Sequence, residues 1–462
     1  MTRKGFLKLK LKNKNDEKTY AIGLLANRLA AFSSTFAKYF KSSTKSIHSV
    51  ADQFLQGLIL SPISNCQAIA KVVEASNNQS LNHFLSDSVW NWQIVMDALS
   101  KRCFKLFSLQ KNPVALLIDE SSFPKKGKNS VGVGHQYCGQ TGKQDNCQIG
   151  VFGALCSGHF VSIIQSKLYL PKDWINNPKK CFKAGVPETE VKYKSKIDLA
   201  REIIFHVWKT LKLKFSYVSF DAFYGRDLNL LECLDKNGIV FMADIPESHI
   251  VYLKDFYLRI PKKKAGRGRT PIHARPSIKG IKLKEYVRSL KSNEFRSITI
   301  RKGTDGNIKA SFHKKIVWLL NEETSKKIRF TLLIRKDFDG KIRYSLTNSS
   351  KNIKCIATMQ GQRYFVERAF QDAKQQTGMN QYQVRGYAGW NRHITMSILA
   401  MQFITEEKLR QKDVELYFTS ADIFEILILL LPKRNLTLSE LENQIKKKNK
   451  KPQRLVRSSK CR

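Results

Sequence analysis

The sequence predicts an α/β protein: a helical N-terminal region, a sheet-based core, and a strand-rich insertion that interrupts the core. Three observations carry this. Apolar residues recur at helical spacing through the first hundred positions. Two short apolar runs, Val114 to Ile118 and Tyr217 to Phe220, each stop at an aspartate, with a helical stretch between them. From about residue 244 to residue 355 the chain is basic and alternates in the manner of strands.

The chain has 462 residues, more than one hydrophobic core usually holds, so several domains or one large interrupted domain are expected. Hydrophobic residues make up 42% and charged residues 26%, an ordinary globular balance that excludes general disorder. The charge sign is not ordinary: 81 Lys and Arg against 38 Asp and Glu leave +43. Such a field needs a polyanion, and releasing counterions from nucleic-acid phosphates drives association with so basic a protein. No apolar stretch approaches a bilayer span, since Ile423 to Leu431 is short and contains Glu425. The basic start, Met1 to Lys14, is followed by an apolar patch broken by Asn27 and Arg28, which argues against a secretory signal, so a cytoplasmic protein is expected. Nine cysteines without a CxxC pair suggest neither a disulfide framework nor a zinc ribbon; Cys138, Cys147 and Cys156 are regularly spaced but lie on strand-like segments.

These shifts divide the chain into an N-terminal helical DNA-binding region (1–105), a first part of the core (106–243), a β-rich insertion (244–355), a second part of the core (356–405) and a C-terminal helical region with a basic tail (406–462). In the first region, Asn65 to Glu74, a turn at Ser76 to Asn78 and Gln79 to Leu85 read equally as a helix-turn-helix or a plain helical hairpin. In the core, Ile197, Ala200, Ile204, Val207 and Leu211 give a crossover helix one apolar face. A right-handed crossover makes the flanking strands parallel and puts Asp119 and Asp221 at the same sheet edge. Another strand, Val240 to Ala243, extends this core.

The insertion opens on Lys262 to Pro271, where Arg267 and Arg269 suit an A·T-rich minor groove or a non-specific basic linker. Its Trp318 suits a strand core or, alternatively, stacking on a flipped base. A helix over Gln362 to Thr377, ended by Gly378, brings Gln360, Arg363, Glu367 and Lys374 close on a helical projection. The lysine run 446–451 reads as a disordered tail or an accessory DNA-binding arm.

Two acids on adjoining strand ends and one on a later helix, Asp119, Asp221 and Glu367, form a donor set for hard Mg²⁺ or Mn²⁺. Two such ions can serve in-line phosphodiester displacement. Taken singly, each acid also suits a cap or a surface ion pair. Arg363 and Lys374 suit phosphate, as do Lys125, Lys126 and Arg226 close to the aspartates.

The stretch from Asp119-Glu120-Ser121-Ser122-Phe123-Pro124-Lys125-Lys126-Gly127 to Val133, Gln136 to Gly139, and Asn146 to Val151 resembles the first-aspartate region of the DDE transposases of bacterial insertion sequences, the IS-four superfamily and its IS-seven-hundred-and-one-like branch. Asp221-Ala222-Phe223-Tyr224-Gly225-Arg226 resembles the second-aspartate motif. Arg363, Glu367 and Lys374 match the spacing of the glutamate signature, and Tyr382, Val384-Arg385 and Gly389 to Thr395 are similar to the family's segment downstream of that signature. One departure stands out: Gln360 occupies the position of the signature tyrosine. Over roughly Val50 to Ile404 the resemblance implies an RNase H-like (retroviral integrase-type) core with a β insertion. It also implies recognition of double-stranded transposon ends, metal-dependent cleavage, transfer of a 3′ hydroxyl into target DNA, and a homodimeric synaptic complex. The alternatives are a decayed or domesticated DNA-binding protein, or an RNase H-like nuclease without strand transfer.

Overall fold

The computed structural model describes residues 22–41, 46–261, 272, 274–303, 306–410 and 418–435, with isolated positions 439, 442 and 446. Arg267, Arg269, the basic start and all of the lysine tail but Lys446 lie outside the described residues. The chain divides into two compact units, one of residues 96–371 and one of residues 1–95 with 372–462.

The unit 96–371 is built on one ten-stranded sheet. Strand β1 (Val114–Pro124) pairs antiparallel with β3 (Lys143–Ser157), which also pairs with β2 (Gly134–Cys138) and β4 (Phe160–Leu168). On its other edge β1 lies parallel to β5 (Tyr217–Phe220), and β5 lies parallel to β6 (Phe241–Ile245). Between these strands and the next long ones the chain forms two short antiparallel pairs, β7 (Ile250–Val251) with β10 (Ile281–Lys282) and β8 (Leu258–Arg259) with β9 (Arg275–Pro276). The meander β11 (Arg296–Gly303), β12 (Gly306–Asn321), β13 (Lys326–Lys336) and β14 (Ile342–Thr347) then joins the same sheet, because β14 pairs antiparallel with β6. The strands read as an insertion therefore extend the core sheet edge to edge.

Hydropathy places the end of the first strand at Asp119, but β1 continues to Pro124. Its ladder with β3 runs without interruption through Asp119↔Phe152 to Pro124↔Cys147. Backbone pairing is indifferent to the polar side chains Asp119 to Ser122 that make this stretch resemble a loop. Asp119 is thus held mid-strand, on a rigid element.

The crossover falls on the helix Lys196–Phe205, which is capped reciprocally by Ser195 and Asp198. Leu199, Ala200, Ile203 and Ile204 are buried, and Ile203 packs on Gly153 of β3 so closely that a Cβ there would sit 2.8 Å from its Cγ2. In place of one helix over 362–377, two short ones meet at Arg363: Ile353–Gln362 and Tyr364–Gln376. The Arg363 N–H donates to Gln360 O at 3.4 Å and its carbonyl accepts from Val366 N at 3.2 Å, so both bonds span three residues and tighten the backbone there. Gln360 accordingly falls in the last turn of the first helix.

In the other unit, helices Cys66–Val72 and Asn78–Ser86 are each started by an asparagine, Asn65 and Asn77, whose side chain caps the first turn. The motif Gly389 to Thr395 lies in the first turns of a long helix, Tyr387–Arg410, and is wholly buried. Trp390 donates to Tyr382 Oη at 3.1 Å, and Arg392 Nη1 donates to the carbonyl of Leu85 at 3.0 Å. Gly378, with φ +55°, ends the preceding helix as expected. No helix among the described residues is long and apolar enough to cross a membrane.

Gly225 closes a short helix, Ala222–Gly225, against the end of β6. A Cβ at this position would fall 2.0 Å from the carbonyl oxygen of Asp244. Gly225→Ala should therefore destabilise the protein by about 1–3 kcal/mol or more, as overpacking does, measured by chemical denaturation.

Candidate active site

Parallel pairing sets the level of each strand end. The β1–β5 register runs Ala115↔Tyr217, Leu116↔Val218, Leu117↔Ser219. Continued by two residues, the same offset brings Asp119 level with Asp221, and because strand side chains alternate, both fall on the face of Leu117 and Ser219. Asp221 lies just past β5 and caps the short helix after it, its Oδ1 accepting from the N–H groups of Phe223 at 3.0 Å and Tyr224 at 3.4 Å.

The electrostatics derive from this crowding. Burial, then the charges of Asp221 and Glu120, push the Asp119 carboxyl up to about 7, against the pull of Arg363 and the Glu120 N–H. Burial and Glu120 likewise raise Asp221, opposed by Arg363 and the two backbone donors. Glu120, next to Asp119, is held by Tyr224 Oη at 2.6 Å and by Lys196 Nζ at 3.0 Å. Arg363 answers the acids. Burial disfavours its charge, but Asp244, Asp119, Glu367 and Asp221 together outweigh that and hold the guanidinium firmly protonated. Its Nε donates to Asp244 Oδ2 at 3.0 Å, and its Nη1 lies 3.5 Å from Glu367 Oε1.

Asp119, Asp221 and Arg363 are thus brought into one electrostatic cluster, with Glu367 at its margin, 58% exposed and facing Arg363. Among the described residues no group of three or more His, Cys, Asp or Glu converges as a ready metal cage. The paired aspartates nevertheless fit a hard divalent cation: they offer oxygen donors at one level, and their mutual repulsion is what a cation relieves. Glu367 fits by donor type but is paired with Arg363.

Of the remaining candidates, Lys125 is half-buried, and burial lowers it to about 8; Lys126 is exposed. Arg226 is exposed, its guanidinium 5.0 Å from the centre of the Phe223 ring. Lys374 lies in the last turn of the Glu367 helix, past the boundary between the two units. Trp318 is half-buried on β12, its backbone bridged to Tyr252 and the Arg329 guanidinium 5.9 Å from its ring centre. Sequence reasoning missed Glu120, Tyr224, Lys196 and Asp244. For Asp244 the signal was present, since Val240 to Ala243 is a third apolar run that stops at an aspartate.

Against known proteins, the family profile described as DDE superfamily endonuclease matches residues 35–307, well over half of the chain. The chain belongs to the DDE superfamily endonucleases. The matched stretch contains Asp119 and Asp221, whereas Arg363 and Glu367 lie beyond it. The chain is also 29% identical over 198 residues to a protein of Microchaete diplosiphon described as a probable transposase for insertion sequence element IS701. That similarity covers 40% of this chain and 48% of the relative, so the chain spans about half the length of the protein it matches. The NurA nuclease from Sulfolobus solfataricus aligns over 61% of this chain and 86% of its own, at 12% identity and a TM-score of 0.24, too low to bear on the fold.

The raised Asp119 carboxyl has a measurable sign. An acid whose folded-state pKa exceeds its unfolded value of about 4 costs no stability below that value and its full penalty above the folded one. In EDTA, Asp119→Asn should be more stable than the wild type at pH 8 by roughly 1–4 kcal/mol, and the difference should vanish as pH falls through 7 towards 4. Urea unfolding at the two pH values checks this.

Proposed function

We propose that the protein is the transposase of an insertion sequence, cutting double-stranded DNA at terminal repeats and transferring the freed 3′ hydroxyl into a target, with Asp119, Asp221 and Glu367 as its catalytic acids. The observation that carries the reading is the shared level of Asp119 on β1 and Asp221 just past the parallel strand β5, in the field of Arg363 at the helix break, with Glu367 on the helix that follows it. The strand order supports an RNase H-like core: β4, β3 and β1 are antiparallel neighbours, and β5 and β6 add in parallel. The similarity to a transposase of an insertion sequence points the same way.

The three acids would hold Mg²⁺ or Mn²⁺, which when bound supplies activation of the attacking oxygen and charge relief at the leaving oxygen. The chain's own groups do the rest. Arg363 offers a planar fork suited to a phosphate, and a DNA phosphate arriving there would compete with Glu367 for the guanidinium, leaving that carboxylate to join the aspartates. Burial weakens the hold of Lys125 on its proton, and a phosphate beside it would favour the charged form. Glu120, paired with Lys196 and accepting from Tyr224 Oη, keeps the Tyr224 turn docked beside Asp221. Lys126 and Arg226 extend the phosphate track, and the basic remainder of the chain, Lys374 included, supplies salt-sensitive attraction. The working assembly is a homodimer on paired ends at the bacterial nucleoid, in the cytoplasm.

A binding protein without catalysis is the second reading, favoured by the Arg363–Glu367 contact and by Gln360 in place of tyrosine. The two separate on a plasmid carrying the DNA that flanks the coding region. Wild-type protein with Mg²⁺ or Mn²⁺ should cut it and join the ends to a second plasmid. Asp119→Asn, Asp221→Asn and Glu367→Gln should each slow cutting by at least about a hundredfold while still retarding the DNA in gels. Wild-type rates in Asp119→Asn, free of contaminating nuclease, would end the metal assignment.

A further inference from the structure

The row of aspartates has a third member. The β5–β6 register runs Val218↔Phe241, Ser219↔Met242, Phe220↔Ala243, and one further step brings Asp221 level with Asp244. Asp244 stands inside the ladder itself, paired with Ser345 of β14. Its two oxygens are both engaged. Oδ1 accepts from Ser345 Oγ at 2.6 Å, and Oδ2 accepts from Arg363 Nε at 3.0 Å. Ser345 Oγ in turn accepts from Gln360 Nε2 at 2.6 Å, so the donors run in one direction from Gln360 through Ser345 to Asp244. Ser345 is fully buried and Gln360 nearly so, and the side chains of the Asp244–Arg363 pair are only 15% and 18% exposed.

An arginine side chain is long and flexible, and an exposed one samples many positions. A buried carboxylate that is itself fixed by strand pairing and a serine hydroxyl removes that freedom at Nε. The fork then points one way, with Nη1 3.5 Å from Glu367 and the guanidinium charge felt at Asp119 and Asp221. Released from Asp244, the guanidinium would settle among the acids it now only adjoins, where it would compete with a divalent cation for the same oxygens.

We propose that Asp244 is a positioning residue, which holds Arg363 by its Nε so that the guanidinium serves phosphate and leaves Asp119 and Asp221 open to metal. The inference rests on the metal-dependent reading above, and it assigns Asp244 a role through Arg363 in place of direct ligation.

Calorimetric titration of the DNA-free full-length protein with Mn²⁺ tests this through a double-mutant cycle, with no need for turnover. Asp244→Ala should weaken Mn²⁺ binding about tenfold. Arg363→Ala should bind Mn²⁺ at least as tightly as the wild type, and the double variant should match Arg363→Ala, because once the guanidinium is gone Asp244 has nothing to position. A double variant that keeps the whole loss of Asp244→Ala would make Asp244 a ligand and overturn the proposal, as would unchanged binding in Asp244→Ala. A wild type that binds no Mn²⁺ at all would instead bring down the metal-dependent reading, an outcome distinct from both. Should Asp244→Ala fail to fold by its melting curve, Asp244→Asn takes its place in the same cycle. Ser345→Ala should then reproduce a smaller share of the effect, and its failure to do so would count against the hydrogen-bonded chain.

Discussion

Repulsion between carboxylates fixed at one level of a sheet is the constraint on which the rest of the molecule turns. Strand pairing fixes Asp119 in β1 and Asp244 in β6, and the end of β5 sets Asp221 level with them, so the three cannot drift apart without disturbing the sheet. A protein that keeps such an arrangement must supply positive charge locally. Arg363 does so for the aspartates, and Lys196 does so for the adjacent Glu120. The acidic cluster is conspicuous because the chain as a whole carries +43. Basic residues elsewhere would draw in a polyanion, while the acidic centre that would act on it would call for cations to admit a phosphate.

The sequence made the centre legible through a simple pattern, an apolar run that ends in aspartate. It worked for Tyr217 to Asp221 because β5 does end there. For Val114 to Asp119 it found the right acid on a wrong boundary, since hydropathy reports burial and the ladder with β3 continues past the apolar residues. The same pattern at Val240 to Asp244 passed unread, because nothing in the linear sequence says that Asp244 faces Arg363, 119 positions later. Tyr224 and Lys196 were hidden for a like reason: they matter through Glu120, and pairwise contacts of that range are not encoded in spacing. The helix break at Arg363 left only a weak trace, Gly361 two residues earlier, since glycine disfavours a helix interior without forbidding it.

The block from Gly389 to Thr395 illustrates the opposite case. Its tryptophan and histidine suit packing better than catalysis on sequence grounds, and both are buried together with Arg392, which spends a hydrogen bond on a backbone carbonyl. His393 Nε2 lies 3.3 Å from the carbonyl of Gly378, at the helix end that the glycine terminates. Buried hydrogen bonds of this kind favour one packing arrangement over others.

The seam between β14 and β6 sets what natural variation is tolerated. Because Ser345 sits opposite Asp244 across that seam, the innermost strand of the meander is part of the centre, whereas β11 at the far edge is four strands away from β6. The outer strands are not free attachments either, since the Arg301 guanidinium of β11 lies over the Tyr364 ring at 3.8 Å, next to Arg363, and any indel that shifts β14 by one residue would turn Ser345 to the opposite face and unseat the Arg363 guanidinium.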